Sequence, residues 1–254
     1  MTRVLCLLAA LSTMSGSSAV AADIHVMTGG APKEVLAVLT PMFEQQTGHK
    51  VHFTYIVIAA MQQKLAAGEK PDMVLMPVPA IEARVKDGIL RGDARAALGT
   101  VRIGLIVREG ARTPDIGTLD GFKKAILDAK SIVHSNPAAT PSGAHLAKIW
   151  EQLGIADALK PKLTFRNAID GGAESVASGA AEIGLYPSSE VMLEKGIKVV
   201  GLIPPDVQLN TVYGAAVHAA NPAPEPAIAF IRFLADPSNA KHWKDGGFEP
   251  ANTR

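Results

Sequence analysis

The sequence contains a single cysteine, Cys6, and this residue lies in an N-terminal segment that we expect to be removed. The segment begins with Arg3, continues with the apolar run VLCLLAAL and ends with the small residues SSAVAA, which is typical of a secretory signal peptide. We predict a signal peptide at residues 1–22, with an A-x-A-like cleavage site near Ala19 to Ala21. The remaining chain cannot form a disulfide, which favours the bacterial periplasm over disulfide-dependent extracellular modules.

Beyond this segment the sequence lacks any apolar run approaching roughly 18 residues, the length that crosses a bilayer. We therefore expect no membrane insertion after signal cleavage. The chain also lacks an excess of one charge, since Lys and Arg number 25 and Asp and Glu number 24. This balance argues against nucleic acid as a partner, and any anion should be bound at a local site.

The sequence also lacks the motifs of metal, nucleophilic and nucleotide sites. Its seven histidines are scattered without an H-x-x-x-H pair, and no thiol remains after signal cleavage. There is no G-x-S-x-G nucleophile elbow, and the run GAESVASGAAEIG has no P-loop lysine. We therefore predict neither a metal nor a cofactor.

Strand-like and helix-like segments alternate almost to the end of the chain. Apolar runs such as PDMVLMPV and amphipathic stretches such as AAMQQKLAAG predict an α/β fold with a mostly parallel sheet. The run TVRIGLIVREG predicts one long strand that crosses into a second lobe, and LNTVYGAAVHA predicts the strand that returns. We place lobe 1 at residues 23–102 and 208–254 and lobe 2 at residues 103–207. The last helix, EPAIAFIRFLAD, should pack on lobe 1.

The stretch MTGGAPKEVLAVL predicts a helix N-terminus at the end of a strand. Gly29 and Gly30 allow backbone amides to approach a bound group, and Pro32 suits the first helical turn. Such an end carries free donors and a partial positive charge, so it can bind an anion without a basic side chain. A tight turn without a ligand is the alternative. Lys33 lies beside the glycines and could reach a ligand.

A second helix end is predicted in the stretch SNPAATPSGAHLAKIW. Ser142 is the candidate N-cap and Gly143 opens the helix, with ordinary capping as the alternative. His145 lies in the first turn, where the helix N-terminus would keep its imidazole neutral, as a general base requires. In a two-lobed α/β fold both helix ends would face one cleft, where such sheets bind ligands.

In order and spacing these stretches are similar to the periplasmic molybdate-binding protein family, whose members are receptors of ABC importers. The similarity covers nearly the whole chain after the signal peptide and is carried by IHVMTGGAPKEVLAVLTPMFEQQTGHKVHFTY, QKLAAGEKPDMVL, NPAATPSGAHLAKIWEQLGI, AEIGLYPSSEV and IAFIRFLADPSNAKHWKDGGFEP. The resemblance implies a two-lobed type II periplasmic binding-protein fold with an interlobe ligand cleft. It also implies an ABC permease as a candidate partner.

The ligand positions depart from the pattern of that family. Ala31, Ile58 and Ala59 stand where the family has serines, and Pro187 stands where the family has a tyrosine. A buried dianion that lacks several hydrogen bonds loses about 1.5 to 3 kcal/mol for each, so we do not expect molybdate. We predict instead that the cleft binds a small di- or tricarboxylate at Gly29, Gly30, Ala31, Ile58, Ala59, Ser142, Gly143, Ile169, Tyr186 and Pro187.

The alternative prediction is an enzyme, because a bacterial aconitate isomerase resembles this family. Interconverting trans- and cis-aconitate moves a proton across an allylic system and needs neither metal nor cofactor. His145 would then be the acid–base catalyst, and Lys33 would offset charge on a substrate carboxylate. The amides of Gly30 and Ala31 would be the oxyanion donors. The sequence leaves the choice between receptor and isomerase open.

Overall fold

The chain folds into two lobes, each built on its own β-sheet. The structure is a computed structural model that describes residues 21–251. Apart from its last two residues, the predicted signal peptide lies outside the described residues. Within the described part of the chain, no helix has the length and apolar character needed to cross a membrane.

Strands and helices alternate along the chain, as the hydrophobic pattern predicts. The first segment contains β1 (Asp23–Thr28), α1 (Lys33–Thr47), β2 (Lys50–Tyr55), α2 (Ile58–Ala66), β3 (Met73–Pro77), α3 (Val78–Lys86) and β4 (Leu90–Val101). The middle segment contains β5 (Ile103–Arg108), α4 (Leu119–Asp128), β6 (Ile132–His134), α5 (Pro141–Gln152), α6 (Ala156–Leu159), β7 (Leu163–Phe165), α7 (Gly172–Ala177), β8 (Ile183–Pro187) and β9 (Ile197–Leu202). The last segment contains β10 (Thr211–His218), α8 (Glu225–Ala235), α9 (Ala240–Asp245) and β11 (Glu249–Pro250).

The first sheet has six strands in the spatial order β11, β4, β10, β3, β1 and β2. In this sheet β1 is parallel to β2 and β3, whereas β10 is antiparallel to β3 and β4. The second sheet has five strands in the order β7, β6, β8, β5 and β9, with β5 antiparallel to β8 and β9. The chain therefore passes between the sheets twice, at Arg102 and within residues 203–210.

The prediction of one long strand at TVRIGLIVREG is wrong, because the chain changes sheets inside this run. Val101 ends β4 in the first sheet, and Ile103 begins β5 in the second. Between them, Arg102 donates a hydrogen bond to Asn210 Oδ1 at 3.0 Å and another to the Glu249 carboxylate. The guanidinium group thus ties the first crossing of the chain to the second and to the C-terminal strand.

Each sheet packs against helices in hydrophobic clusters of its own. As predicted, the last long helix, α8, packs on the first sheet, and its Phe230 ring centroid lies 4.8 Å from that of Phe43 in α1. In the second core, the ring centroids of Trp150 in α5 and Phe122 in α4 are 6.0 Å apart. This packing fixes α1 and α5, whose N-terminal ends contribute to the site described next.

Candidate functional site

A pocket lies between the two lobes, where the N-terminal ends of several helices meet. Its volume is small, about 40 Å³. Residues of both lobes line it: Gly29, Gly30, Val57, Ile58, Val101, Thr140, Pro141, Ser142, Ala168, Ile169, Pro187, Glu190, Thr211 and Tyr213. Because both lobes contribute, the size of the pocket depends on how far the lobes stand apart.

Among the residues that line this pocket, Gly30, Ile58, Ser142 and Ile169 carry backbone amides without a hydrogen-bond acceptor in the described part of the chain. Gly30 and Ile58 belong to the first lobe, at the starts of α1 and α2. Ser142 and Ile169 belong to the second lobe, in the first turn of α5 and in a 3₁₀ turn before α7. Unpaired amides at helix N-termini attract negative charge, so the pocket can bind an anion.

The glycine turn of the first helix end is closely covered by two isoleucines. A Cβ added to Gly29 would lie 3.0 Å from Ile58 Cδ1, and a Cβ added to Gly30 would lie 2.6 Å from Ile169 Cγ2. An alanine at either position would have to displace one of these isoleucine side chains, which come from both lobes. The structure thus brings these four predicted ligand contacts together, and Pro187 lines the same pocket.

At the second helix end, the N-cap of α5 is Thr140 and not the predicted Ser142. Thr140 Oγ1 accepts a hydrogen bond from the amide of Gly143 at 3.1 Å, and Pro141 begins the helix. Ser142 lies inside the first turn, is 6% exposed and lines the pocket. Gly143 is not a lining residue, because it packs so tightly that an added Cβ would lie 2.4 Å from Ser135 O.

Three other predicted contacts do not line the pocket. Ala31 is 1% exposed and lies in the core of the first lobe. The amide of Ala59 donates a hydrogen bond to Ala139 O in the second lobe at 3.2 Å, so it joins the lobes directly. The hydroxyl of Tyr186 donates to Arg166 O at 2.8 Å and therefore stabilises the chain leading to the 3₁₀ turn.

Neither of the predicted catalytic side chains is a lining residue. His145 Nε2 is hydrogen-bonded to Val207 O at 2.9 Å, within the second lobe. The side chain of Lys33 is 57% exposed, and its Nζ lies 4.0 Å from the Glu34 carboxylate. Among residues 21–251 there is also no group of three His, Cys, Asp or Glu side chains placed to hold a metal ion.

The pocket instead contains the carboxyl group of Glu190, which the sequence analysis did not select. Glu190 ends a 3₁₀ turn directly after β8, and its Oε1 would lie 3.3 Å from a Cβ on Gly30. In the described part of the chain no donor or cation pairs with this carboxyl group, and burial raises its pKa from 4.5 to about 8. A group with such a pKa can accept and donate a proton near neutral pH.

Tyr213 of β10 brings a second ionisable side chain to the pocket, from the opposite lobe. It is 6% exposed, and its ring packs edge-on against Phe248 with the centroids 5.9 Å apart. Burial, followed by the neighbouring charge of Glu190, raises the pKa of the Tyr213 hydroxyl above its ordinary value. The hydroxyl is therefore neutral and available as a donor. Among residues 21–251, no Lys, Arg or His lines the pocket, so its attraction for anions comes from neutral donors.

Glu190 also borders a second, outer groove. The groove has a volume of about 390 Å³ and is lined by Glu34, Glu174, Glu190, Leu193, Glu194 and Lys195. Leu193 is 60% exposed, so the groove opens to solvent. Glu190 therefore lines both the interlobe pocket and a surface groove with an excess of negative charge.

The chain is similar in sequence both to an enzyme and to binding proteins. It is 32% identical to the aconitate isomerase of Pseudomonas sp. over 233 residues, which cover 89% of this chain and 87% of that protein. It is 24% identical to the molybdate-binding protein ModA of Escherichia coli (strain K12) over 250 residues, which cover 94% of this chain and 95% of that protein.

Solved structures confirm the predicted type II periplasmic binding-protein fold. The periplasmic molybdate-binding protein of Azotobacter vinelandii superposes with a TM-score of 0.73 at 19% identity, covering 91% of this chain and all of that chain (100%). The sulfate-binding protein SubI from Mycobacterium tuberculosis H37Rv gives a TM-score of 0.73 at 19% identity, with coverages of 91% and 88%.

The family resemblance seen in the sequence is confirmed as well. The sequence profile of the family described as bacterial extracellular solute-binding protein matches residues 24–249, which span both sheets and every residue of the pocket. The chain belongs to the bacterial extracellular solute-binding protein family.

Proposed function

We propose that this chain is a periplasmic isomerase that binds a small unsaturated polycarboxylate in the interlobe pocket and moves a proton across its allylic system. The observation that carries the proposal is the carboxyl group of Glu190, which is partly buried, lines the pocket and has no hydrogen-bond or ion-pair partner among residues 21–251. For a protein that only binds a multiply charged anion, this group is unfavourable whenever it is ionised, because its negative charge then repels the ligand. An enzyme that removes a proton needs such a group beside the ligand.

The sequence relatives support the choice of substrate class. The relative that is 32% identical is named aconitate isomerase, and aconitate is a tricarboxylate with an allylic methylene group. The predicted signal peptide and the periplasmic names of structural neighbours support the proposed location. Ile58 and Ile169 cover the glycine turn with hydrocarbon, which suits a ligand with a carbon skeleton better than a tetrahedral oxyanion.

In the proposed reaction Glu190 acts as a single acid–base group. Its carboxylate takes a proton from the methylene carbon of trans-aconitate, and the electron pair of the broken C–H bond spreads over the allyl unit into the terminal carboxylates. The protonated Glu190 then returns the proton to the other end of the allyl unit. A C–H bond forms there and the double bond moves, which gives cis-aconitate with atoms and electrons balanced.

The unpaired amides act both when the substrate binds and when negative charge accumulates on it. Those of Gly30 and Ile58 approach the ligand from one lobe, and those of Ser142 and Ile169 approach from the other. Donors fixed in this way bind the carboxylates and stabilise the charge that accumulates on them as the proton leaves. Since the pocket of about 40 Å³ cannot admit a tricarboxylate, the lobes must move apart for the ligand to enter.

The test is to incubate the chain, with residues 1–22 removed, with trans-aconitate in D₂O and to follow the reaction by NMR. We expect cis-aconitate to form and deuterium to enter the methylene position, because Glu190 borders the solvent-filled outer groove. The Glu190→Gln variant should lose turnover by about 10² to 10⁴-fold. The exposed Glu194→Gln in the same groove is the matched control and should keep full activity.

A receptor that binds without turnover is the second candidate function, and the relatives named molybdate-binding proteins favour it. The four unpaired amides would be enough for such a role. Isothermal titration with molybdate, tungstate, sulfate and a panel of di- and tricarboxylates distinguishes the two. Binding of a carboxylate without any exchange in D₂O would refute the isomerase and favour a receptor that works with an ABC permease. Tight molybdate binding would refute the carboxylate specificity.

A further inference from the structure

Tyr213 and Glu190 face the same glycine turn from opposite lobes. A Cβ on Gly29 would lie 3.4 Å from the Tyr213 hydroxyl oxygen, and a Cβ on the adjacent Gly30 would lie 3.3 Å from Glu190 Oε1. Tyr213 lies in β10 of the first sheet, whereas Glu190 follows β8 of the second. Both side chains line the interlobe pocket, so a ligand held at the turn lies within reach of both.

The ring of Tyr213 is buried, and its hydroxyl borders the pocket without a hydrogen-bond partner among the described residues. Tyr186 shows the usual arrangement in this chain, because its buried hydroxyl donates to Arg166 O at 2.8 Å. A hydroxyl that borders the pocket and donates to no residue of the described chain is free to donate a hydrogen bond to a ligand there. A ligand carboxylate in the pocket would accept this hydrogen bond.

We infer that Tyr213 is a second catalytic residue, whose hydroxyl donates a hydrogen bond to the ligand carboxylate on which negative charge accumulates while Glu190 removes the proton. This inference rests on the proposed function. The O–H bond of Tyr213 is not broken, so no further proton acceptor is needed. Because the two residues belong to different lobes, they act on one ligand only when the lobes are together.

The experiment compares the wild type with Tyr213→Phe, which removes the hydroxyl and keeps the ring against Phe248. Turnover of trans-aconitate should fall by about 10² to 10³-fold, as for the loss of one fixed donor to a developing oxyanion. Affinity for tricarballylate, a saturated tricarboxylate that cannot react, should fall by at least about tenfold in isothermal titration. Tyr55→Phe, at a half-exposed tyrosine outside the pocket, is the control and should change neither value.

Turnover and tricarballylate affinity together distinguish a failure of the inference about Tyr213 from a failure of the proposed function. Turnover of Tyr213→Phe within about twofold of the wild type would overturn the inference while leaving the proposed isomerase intact. If the wild type does not turn over trans-aconitate, the proposed function fails, and unchanged tricarballylate affinity of Tyr213→Phe then overturns the inference too. If Tyr213→Phe does not fold, the ¹³Cζ resonance of Tyr213 in the wild type decides: it should shift when tricarballylate is added, and an unchanged resonance refutes the contact.

Discussion

Glu190 is a carboxyl group that the fold holds in its protonated form around neutral pH. Burial alone raises its pKa from 4.5 to about 8, and the surrounding Glu34, Glu174 and Glu194 of the outer groove add negative charge nearby. In the unfolded chain the same group ionises near pH 4.5. Between these two pH values the folded state therefore binds more protons at this position than the unfolded state does.

The first prediction concerns how the stability of the folded protein changes with pH, because the pKa of Glu190 differs between the folded and unfolded states. The contribution of Glu190 is fully present below pH 4.5 and is lost as pH rises through about 8. The free energy of unfolding should therefore decrease relative to Glu190→Gln by up to about 1.4 kcal/mol per pH unit within this window. Urea unfolding of both proteins from pH 4.5 to 9 measures the difference. A difference that is constant with pH would show that Glu190 is not buried as described.

The second prediction concerns the rate. In the free enzyme only the ionised form of Glu190 can take a proton, so kcat/KM for trans-aconitate should rise with pH and level off above about pH 8. Glu194→Gln should show the same profile as the wild type, because Glu194 is exposed and lies outside the pocket. A profile that is flat from pH 6 to 9 would exclude Glu190 as the base.

At the scale of single residues, the sequence predicts the backbone part of the site but not its acid–base part. Gly29 and Gly30 could be found because a glycine pair between a strand and a helix has few structural uses. Glu190 and Tyr213 could not, since neither belongs to a motif and their meeting depends on two lobes joined by distant crossings. The available signal was position: Glu190 follows a buried strand at its carboxyl end, where α/β folds place functional groups.

At the scale of elements, the start of α5 shows how a helix end is fixed at the site. Thr140 caps it, and Gly143 packs against the carbonyl groups of Ser135 and Asn136, with an added Cβ at 2.4 and 2.6 Å from their oxygens. Because these are backbone atoms, they can move aside only if the main chain shifts. The contact therefore sets the position of the Ser142 amide in the pocket.

The third prediction is that Gly143→Ala pushes this helix end away from its loop. The free energy of unfolding should fall by about 1 to 3 kcal/mol, as for other overpacked positions. Tricarballylate affinity should fall as well, because the Ser142 amide moves. Gly201→Ala in β9 is the control, since its Cβ would meet only Ile116 Cδ1 at 3.8 Å. Equal stability of the two variants in urea unfolding would contradict the described packing.

The order of strands and helices follows from hydrophobic periodicity, and most elements are found where the sequence predicts them. β4 is one exception, because its sequence LRGDARAALGTV contains charged residues and alanines and lacks a regular alternation of apolar side chains. It forms because β10 pairs with it along most of its length, which is a contact that no local pattern records. The lobe boundary was predicted at Arg102, but the strand break there was missed because apolar residues continue on both sides of it.

At the scale of the whole molecule, the two lobes contact each other on both sides of the pocket. On one side the Ala59 amide donates to Ala139 O at 3.2 Å. On the other side Ser188 Oγ donates to Gly247 O at 2.9 Å, in a partly buried contact. These hydrogen bonds and the pocket of about 40 Å³ describe a form with the lobes together.

The fourth prediction concerns the form of the protein in which the two lobes are together. Ser188→Ala removes one hydrogen bond between the lobes, worth about 1 kcal/mol, and should weaken tricarballylate binding about fivefold if binding requires the lobes together. Ser178→Ala removes an exposed bond to Ser175 O within one lobe and should not affect affinity. Small-angle scattering of the free Ser188→Ala protein should show a larger radius of gyration. Unchanged affinity and radius would mean that this contact does not influence closure.

The position of β10 in the first sheet also governs the order in which the protein can assemble. The second sheet uses strands from one continuous stretch, residues 103–202, and all of them are available before β10 has been synthesised. The first sheet has its gap between β3 and β4, and only Thr211–His218 can fill it. A nascent chain that stops short of this segment therefore exposes two unpaired strand edges, the kind of surface on which incomplete chains aggregate.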